Sequence, residues 1–193
     1  MSKQIWKPSV LLNPVPVVMV TCSDGKGKDN VFTVAWAGTI NSKPPMLSIS
    51  VRKSRYSYEM INKTGEFVVN LVTERLAFAA DYCGVKSGKD IDKFKEAKLS
   101  IKSASAVCAP LIEESPVNLE CKVEKVIELG THDMFIASVV ACQVDDSLVD
   151  SQGKLSLENA GLICYSHGEY WGLSRSLGYF GYSVTKKDNK KIR

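Results

Sequence analysis

The chain has 193 residues, of which 45% are apolar, 24% charged and 8% aromatic, and its 13 glycines and 7 prolines follow no period. That length and composition fit one domain able to bury roughly 70% of its unfolded surface, and exclude a disordered, collagenous or coiled-coil protein. The net charge is +4, and residues 186–193, a basic tail with five cations and one aspartate, carry a net +4 alone, so the body is neutral, which argues against a basic groove for nucleic acid.

The first segment, residues 16–22 (PVVMVTC), is a short β-branched run bounded by the turn-rich SDGKGKDN and reads as a strand. A second strand is expected over 31–40 and a third over 46–52. In the third, Leu47, Ile49 and Val51 alternate with Met46, Ser48, Ser50 and Arg52, the pattern of a half-buried strand. The period then changes: residues 54–63 suit a helix stopped at Gly65, followed by a strand over 66–71. Thr73 is placed to cap a second helix ending at Gly84, and a short helical stretch is expected over 91–97.

The second half is more plainly β. Over 117–129 six of seven odd positions are apolar and five of six even positions polar, the signature of a long strand with one face in water. Residues 130–133 (Gly-Thr-His-Asp) turn the chain into a strand over 134–144, and two shorter strands follow at 162–166 and 170–173. Long neighbouring strands joined by tight turns form antiparallel sheet, and closure into a barrel removes exposed edges. The reading is a mainly β barrel with decorating helices, one domain over 1–193.

The six cysteines lie no closer than thirteen residues apart, so no CxxC or zinc-knuckle spacing exists. With two histidines in the chain, no multi-histidine metal site is expected. Residues 10–20 form an apolar stretch, but Asn13, Pro14 and Pro16 interrupt it and it falls short of a membrane span. The expectation is a cytoplasmic protein with reduced thiols and no membrane partner. Gly25-Lys-Gly27 opens a strand rather than a helix, so it does not place a helix N-terminus on a pyrophosphate, and residues 84–90 fall one short of a P-loop.

Chemistry concentrates in residues 52–57, Arg-Lys-Ser-Arg-Tyr-Ser, where a strand ends and a helix begins. Cations at a helix N-terminus are unfavourable unless an anion lies among them. Arginine forks, serine hydroxyls and unpartnered N–H groups together suit a phosphate monoester. A solvated basic turn with Ser54 as an ordinary N-cap is the alternative.

Around this segment stand Asn30-Val-Phe-Thr33-Val-Ala-Trp36, Lys43-Pro44-Pro45 before the Ser48/Ser50 face, residues 66–71 (EFVVNL), Asp81-Tyr-Cys83-Gly84, Ser87-Gly88 and Asp92-Lys93-Phe94. In this order, over residues 15–173, they resemble the flavin reductase-like family of FMN-binding split β-barrels, most closely its flavoredoxin branch. The resemblance implies a six-stranded antiparallel split barrel of Greek-key order, a homodimer, and one FMN per subunit near the interface. It implies electron transfer from NAD(P)H through FMN to a small-molecule acceptor or a redox protein. The alternative is an electron-transfer flavoprotein reduced by a protein partner, with no nicotinamide site.

Carried onto this chain, the family pattern sets Asn30, Thr33, Val34, Ala35 and Trp36 along the flavin, with Ser48, Ile49 and Ser50 on the next strand. Arg52, Ser54, Arg55, Tyr56 and Ser57 would hold the phosphate, and Asn70, Cys83, Ser87 and Lys93 resemble positions around the rest of the cofactor. His132 matches a position on the open side of the ring, where a nicotinamide or acceptor stacks, although Thr131 departs from the family's Gly-Asp-His. Independently of the resemblance, Trp36 also reads as a core aromatic, His132 as an exposed turn residue and Cys83 as a helix-end packing residue. The residue types fit FMN itself, whose phosphate, ribityl chain and ring call for cations, hydroxyls and an apolar wall.

Overall fold

A computed structural model of the chain describes residues 1–185; the basic tail at 186–193 lies outside the described residues. The chain opens into β1 (Val15–Pro16) and β2 (Val18–Ser23), the latter buried along its whole length. Val18, Val20 and Cys22 point into the main core while Met19 joins a second apolar cluster on the outer face, so both faces of β2 are covered. A turn in which Asp24 accepts from the Lys26 and Lys28 amides (2.7 and 3.1 Å) leads to β3 (Asp29–Val34).

The strand expected over 31–40 is in fact two. β3 ends at Val34, Ala35 and Trp36 leave the ladder, and β4 (Ala37–Asn41) resumes on a different neighbour. β5 (Met46–Val51) alternates as its sequence does, with Leu47, Ile49 and Val51 buried. Helix α1 (Tyr56–Thr64) sends Met60 and Ile61 into the main core and stops at Gly65, whose φ of +68° favours glycine and whose amide donates to the Ile61 carbonyl. β6 (Glu66–Leu71) follows with the expected bounds. The Thr73 cap does not form: its hydroxyl bonds no backbone amide, a 3-10 turn at Glu74–Leu76 intervenes, and α2 runs from Ala77 to Val85. The stretch at 91–97 shortens to α3 (Lys93–Glu96), capped by Asp92, which accepts from the Lys95 amide.

A small hairpin not expected from the sequence, β7 (Ile101–Lys102) with β8 (Leu111–Ile112), precedes the long strands β9 (Val117–Glu128) and β10 (Asp133–Val144). β11 (Ile163–Ser166) and β12 (Glu169–Gly172) join β1 in a three-stranded sheet. The main sheet is antiparallel and seven-stranded, in the order β3-β2-β6-β9-β10-β5-β4. Its two end strands are consecutive pieces of one chain excursion, so the expected six-strand count holds if β3 and β4 are counted together. Among the described residues no helix is long and apolar enough to cross a membrane.

The alternation of β9 slips at Lys125 and Val126, the two residues that broke the sequence pattern. The register with β10 skips Glu124 there, so Val126 turns inward and Lys125 outward. The even face is not all in water, as the alternation implied: Asn118 and Glu120 are buried, because residues 103–112 fold over that end of the strand. Glu120 accepts from the Ser105 amide and hydroxyl, the Ala106 amide and Gln143 Nε2 at 2.6–3.0 Å. Burial pushes its carboxyl up, but the bonds from Gln143, Ser105 and Ala106 outweigh it and hold the group below the usual carboxylate range. Replacing Glu120 with alanine strands these donors and is expected to destabilise the fold by about 3 kcal/mol, read from urea midpoints at neutral pH. The difference from wild type should shrink in acid, as the wild-type carboxyl protonates below its ordinary pKa.

Candidate functional site

The break between β3 and β4, the end of β5 and the start of α1 surround two adjoining clefts, of about 130 and 190 Å³, that share Phe32, Arg52 and Arg55. The first is walled by Thr33, Val34, Ala35, Trp36 and Ser50, with His132 at its rim. The second is lined by Asn30, Ser54, Tyr56, Ser57, Lys86, Ser87, Gly88 and Lys93. Arg52, Arg55, Lys86 and Lys93 therefore meet across these walls, and among the described residues no aspartate or glutamate lines either cleft. Among the described residues none of these four cations forms a salt bridge.

Local chain geometry explains the concentration. After β5 the chain turns with the Arg55 amide donating to the Arg52 carbonyl (2.9 Å), so both arginines overhang the start of α1. Arg55, not Ser54, occupies the cap position, and no side chain accepts from the first-turn amides. Asn30 is buried and donates to Ser57 Oγ (2.7 Å), tying β3 to α1 across the floor of the second cleft. Gly88 closes over the same amide: a Cβ there would stand 2.1 Å from Asn30 Oδ1, so only glycine lets this backbone approach.

Lys93 is the most constrained of the cations. It is 4% exposed, and its ammonium donates to the Val31 and Cys83 carbonyls (2.7 and 2.8 Å), which leaves one of its three N–H donors for the cleft. Burial, reinforced by the nearby Arg55 charge, lowers its pKa to about 8. At the other cleft, Arg52 Nε donates to His132 Nε2 (3.4 Å) and Thr131 Oγ1 lies 3.0 Å from His132 Nδ1. With Nε2 accepting, the neutral ring carries its proton on Nδ1 and gives it to Thr131. Burial, then Arg52 and Arg55, hold the imidazole below its ordinary pKa, so it is neutral at pH 7.

Most of the residues expected at the site converge there, and four do not. Asn70 is wholly buried and saturated: its amide donates to Met19 and Val68 carbonyls and Thr21 Oγ1, and its oxygen accepts from the Ile112 amide and Asn118. It pins the outer hairpin to the barrel, away from the clefts. Cys83 is on the buried face of α2, its thiol pushed up to about 11 by burial, and it serves the site only through the carbonyl that holds Lys93. Ile49 faces the main core, opposite in parity to Ser50, and Ser48 lies further along β5, across from Gly38 and Ile136, and lines neither cleft. Conversely Phe32, Lys86 and Gly88 line the clefts without having been singled out as site residues. Phe32 shares the parity of Asn30, which was the available signal, whereas the role of Gly88 depends on a contact with a strand 58 positions earlier.

A split antiparallel barrel whose broken edge opens on acid-free, cation-lined clefts is an anion-binding architecture of a recognisable kind. The chain belongs to the flavin reductase-like family, whose domain model matches residues 11–172. It is similar in structure to the flavoredoxin of Desulfovibrio vulgaris (Miyazaki F), with a TM-score of 0.88 and 27% identity, covering 95% of this chain and all of that one. A flavoredoxin from Methanosarcina acetivorans superposes with a TM-score of 0.86 at 28% identity, over 96% of this chain and 100% of its own. An uncharacterized protein of Archaeoglobus fulgidus is 31% identical over 128 residues, 66% of this chain and 72% of its own.

The Lys93 environment predicts a pH signature. Between about pH 8 and the unfolded value near 10.5 the unfolded chain holds a proton that the folded protein has released, so stability rises with pH across that window. Relative to Lys93→Met, wild type is expected to gain on the order of 2–3 kcal/mol from pH 8 to 10.5, measured by denaturant unfolding without added ligand. Parallel curves for the two proteins would contradict the assignment.

Proposed function

We propose that the protein binds FMN with its phosphate in the cleft of Arg55, Ser57, Ser87 and Lys93 and its ring along Thr33–Trp36, as an NAD(P)H-dependent flavin oxidoreductase. The observation that carries this reading is the pair of clefts joined at Phe32, Arg52 and Arg55: four cations without a carboxylate among the described lining residues at one end, the Thr33–Trp36 strand wall at the other. A phosphate monoester supplies the charge that the basic end lacks, and two hydroxyls with an asparagine amide provide neutral partners beside it. The fit extends to Lys93, whose buried ammonium has two carbonyls and no anion as partners.

Bound FMN would accept two electrons from a nicotinamide and pass them to an acceptor, chemistry that belongs to the cofactor. The protein's part is position and electrostatics. Arg55 and Lys93 anchor one end, and the Ala35–Trp36 backbone walls the other. His132, neutral and protonated on Nδ1, offers a flat uncharged face where a second ring can stack.

The proposal extends to a single unit over 1–193 that forms a homodimer in the cytoplasm. Trp36 at the cleft and Ile40 further along β4 are exposed at 36% and 47%, apolar surface suited to cover by a second copy. All six cysteines are unpaired, as in a reducing compartment.

Purified protein should take up FMN and turn yellow. Arg55→Ala removes a charge-assisted contact and should weaken FMN binding roughly 10- to 150-fold, measured by fluorescence titration. Gly88→Ala, which displaces the Asn30 amide, should weaken it in the same direction. Anaerobic mixing with excess NADPH or NADH is expected to bleach the visible flavin band. Retention of that band with both donors would instead support the reading as an electron-transfer flavoprotein reduced by a protein partner.

A further inference from the structure

Behind His132 lies a set of side chains that neither cleft uses. The turn 129–132 joins the two twelve-residue strands β9 and β10, and Asp133, the first residue of β10, is 1% exposed. Its Oδ2 accepts from the Tyr58 hydroxyl at 2.6 Å and lies 3.4 Å from Lys53 Nζ, which also reaches Glu128 at 3.1 Å. The ring of Tyr58 meets Phe135 edge-on, with centroids 5.6 Å apart. Asp133 Oδ1 is buried with no hydrogen-bond partner among the described residues.

These contacts link three pieces of chain. Tyr58 sits on α1, the helix whose start carries Arg55 and Ser57; Lys53 sits in the turn between Arg52 and Arg55; Asp133 is bonded directly to His132. An apolar pair could fill the same space without burying a charge, whereas a carboxylate that takes a phenol and an ammonium fixes direction as well as distance. We propose that Tyr58 and Asp133 are positioning residues: a brace on a buried carboxylate that sets the His132 turn against the helix bearing the phosphate-binding residues, and so fixes the spacing between the anchored end of the ligand and the ring face at which a donor stacks.

The inference rests on the flavin reading for the role of His132, but the brace itself does not, and the experiment separates them. Tyr58→Phe keeps the ring against Phe135 and removes only the hydroxyl. FMN affinity should stay within about twofold of wild type, because Arg55, Ser57 and Lys93 are untouched. The rate of anaerobic flavin reduction by NADPH should fall on the order of 10- to 100-fold, the range expected when a positioned group drifts by about 1 Å. The independent readout is the His132 imidazole in ligand-free protein, followed by NMR titration and assigned against His167. In wild type its pKa lies below the ordinary value through burial and the neighbouring Arg52 and Arg55. In Tyr58→Phe it should move up toward the ordinary value, with a broadened resonance, as the turn leaves the arginines.

Asp133→Asn, which keeps an oxygen for Tyr58 but loses the charge facing Lys53, should give a smaller change in the same direction. It also provides the test if the phenylalanine variant does not fold by thermal melt. An imidazole that titrates identically in wild type and the folded variants overturns the brace. A wild-type protein that NADPH and NADH both fail to reduce overturns the nicotinamide reading while leaving the imidazole test intact.

Discussion

A single excursion of chain supplies both edges of the main sheet, and the position of the site follows from that constraint. β3 pairs only with β2 and β4 only with β5, at opposite ends of the strand order. One straight strand cannot lie at both ends of a twisted sheet, so the chain has to leave one ladder and enter the other. It does so at Ala35 and Trp36, and the Trp36 carbonyl is recovered by the Ser50 amide at 2.8 Å. The two ends of the sheet are thereby joined by the chain without a ladder between them, which leaves a gap where backbone and side chains face outward. The turn that follows β5 emerges beside that gap, which is why the arginines at 52 and 55 and the Trp36 wall bound one continuous depression.

The electrostatics of the depression come from what the scaffold leaves out. Cations on a protein surface ordinarily find carboxylates, and Lys53 and Lys122 do so here. Among the described residues Arg52, Arg55, Lys86 and Lys93 form no ion pair, because they sit on segments whose acidic residues point elsewhere. Asp92 is spent on the α3 cap and Asp133 on Tyr58 and Lys53. Lys93 shows the consequence most plainly. Two carbonyls are the only partners among the described residues for a buried ammonium, and such dipoles offset part of its lost hydration while an anion would offset more. Anion binding and protonation of Lys93 are therefore linked: each favours the other.

Local patterns carried the elements with strong period or strong stops. β5 alternates cleanly, β6 is a compact β-branched run, and Gly65 ends α1 because the position takes a left-handed φ. The split of 31–40 was illegible because both halves are good strand sequence and the break is imposed by closure, a property of the whole sheet. The burial of Asn118 and Glu120 was hidden for a related reason: polar residues on a strand read as solvent-facing until a distant hairpin covers and satisfies them. At the site, the basic segment 52–57 was legible from its own chemistry. Asn70 and Cys83 were assigned by resemblance and prove to support the scaffold, since each has its polar groups or its thiol consumed by packing partners that no local pattern reveals.

The two ends of the depression differ in a way that bears on specificity. One end is cationic and tied together by the contacts of Asn30, Gly88 and Lys93; the other has His132 at its rim, neutral and with its Nδ1 proton given to Thr131. Binding energy gathered at a remote, non-reacting group is what positions a reacting one. A charged group at the His132 end would favour one ionic form of an incoming partner over another. A neutral ring imposes shape and stacking instead, and Arg52, bonded to that ring, and Arg55 carry the positive charge an anionic partner would meet there. Thr131 completes this arrangement: a carboxylate on Nδ1 would stabilise the imidazolium, whereas a hydroxyl leaves the two arginines to keep the ring neutral.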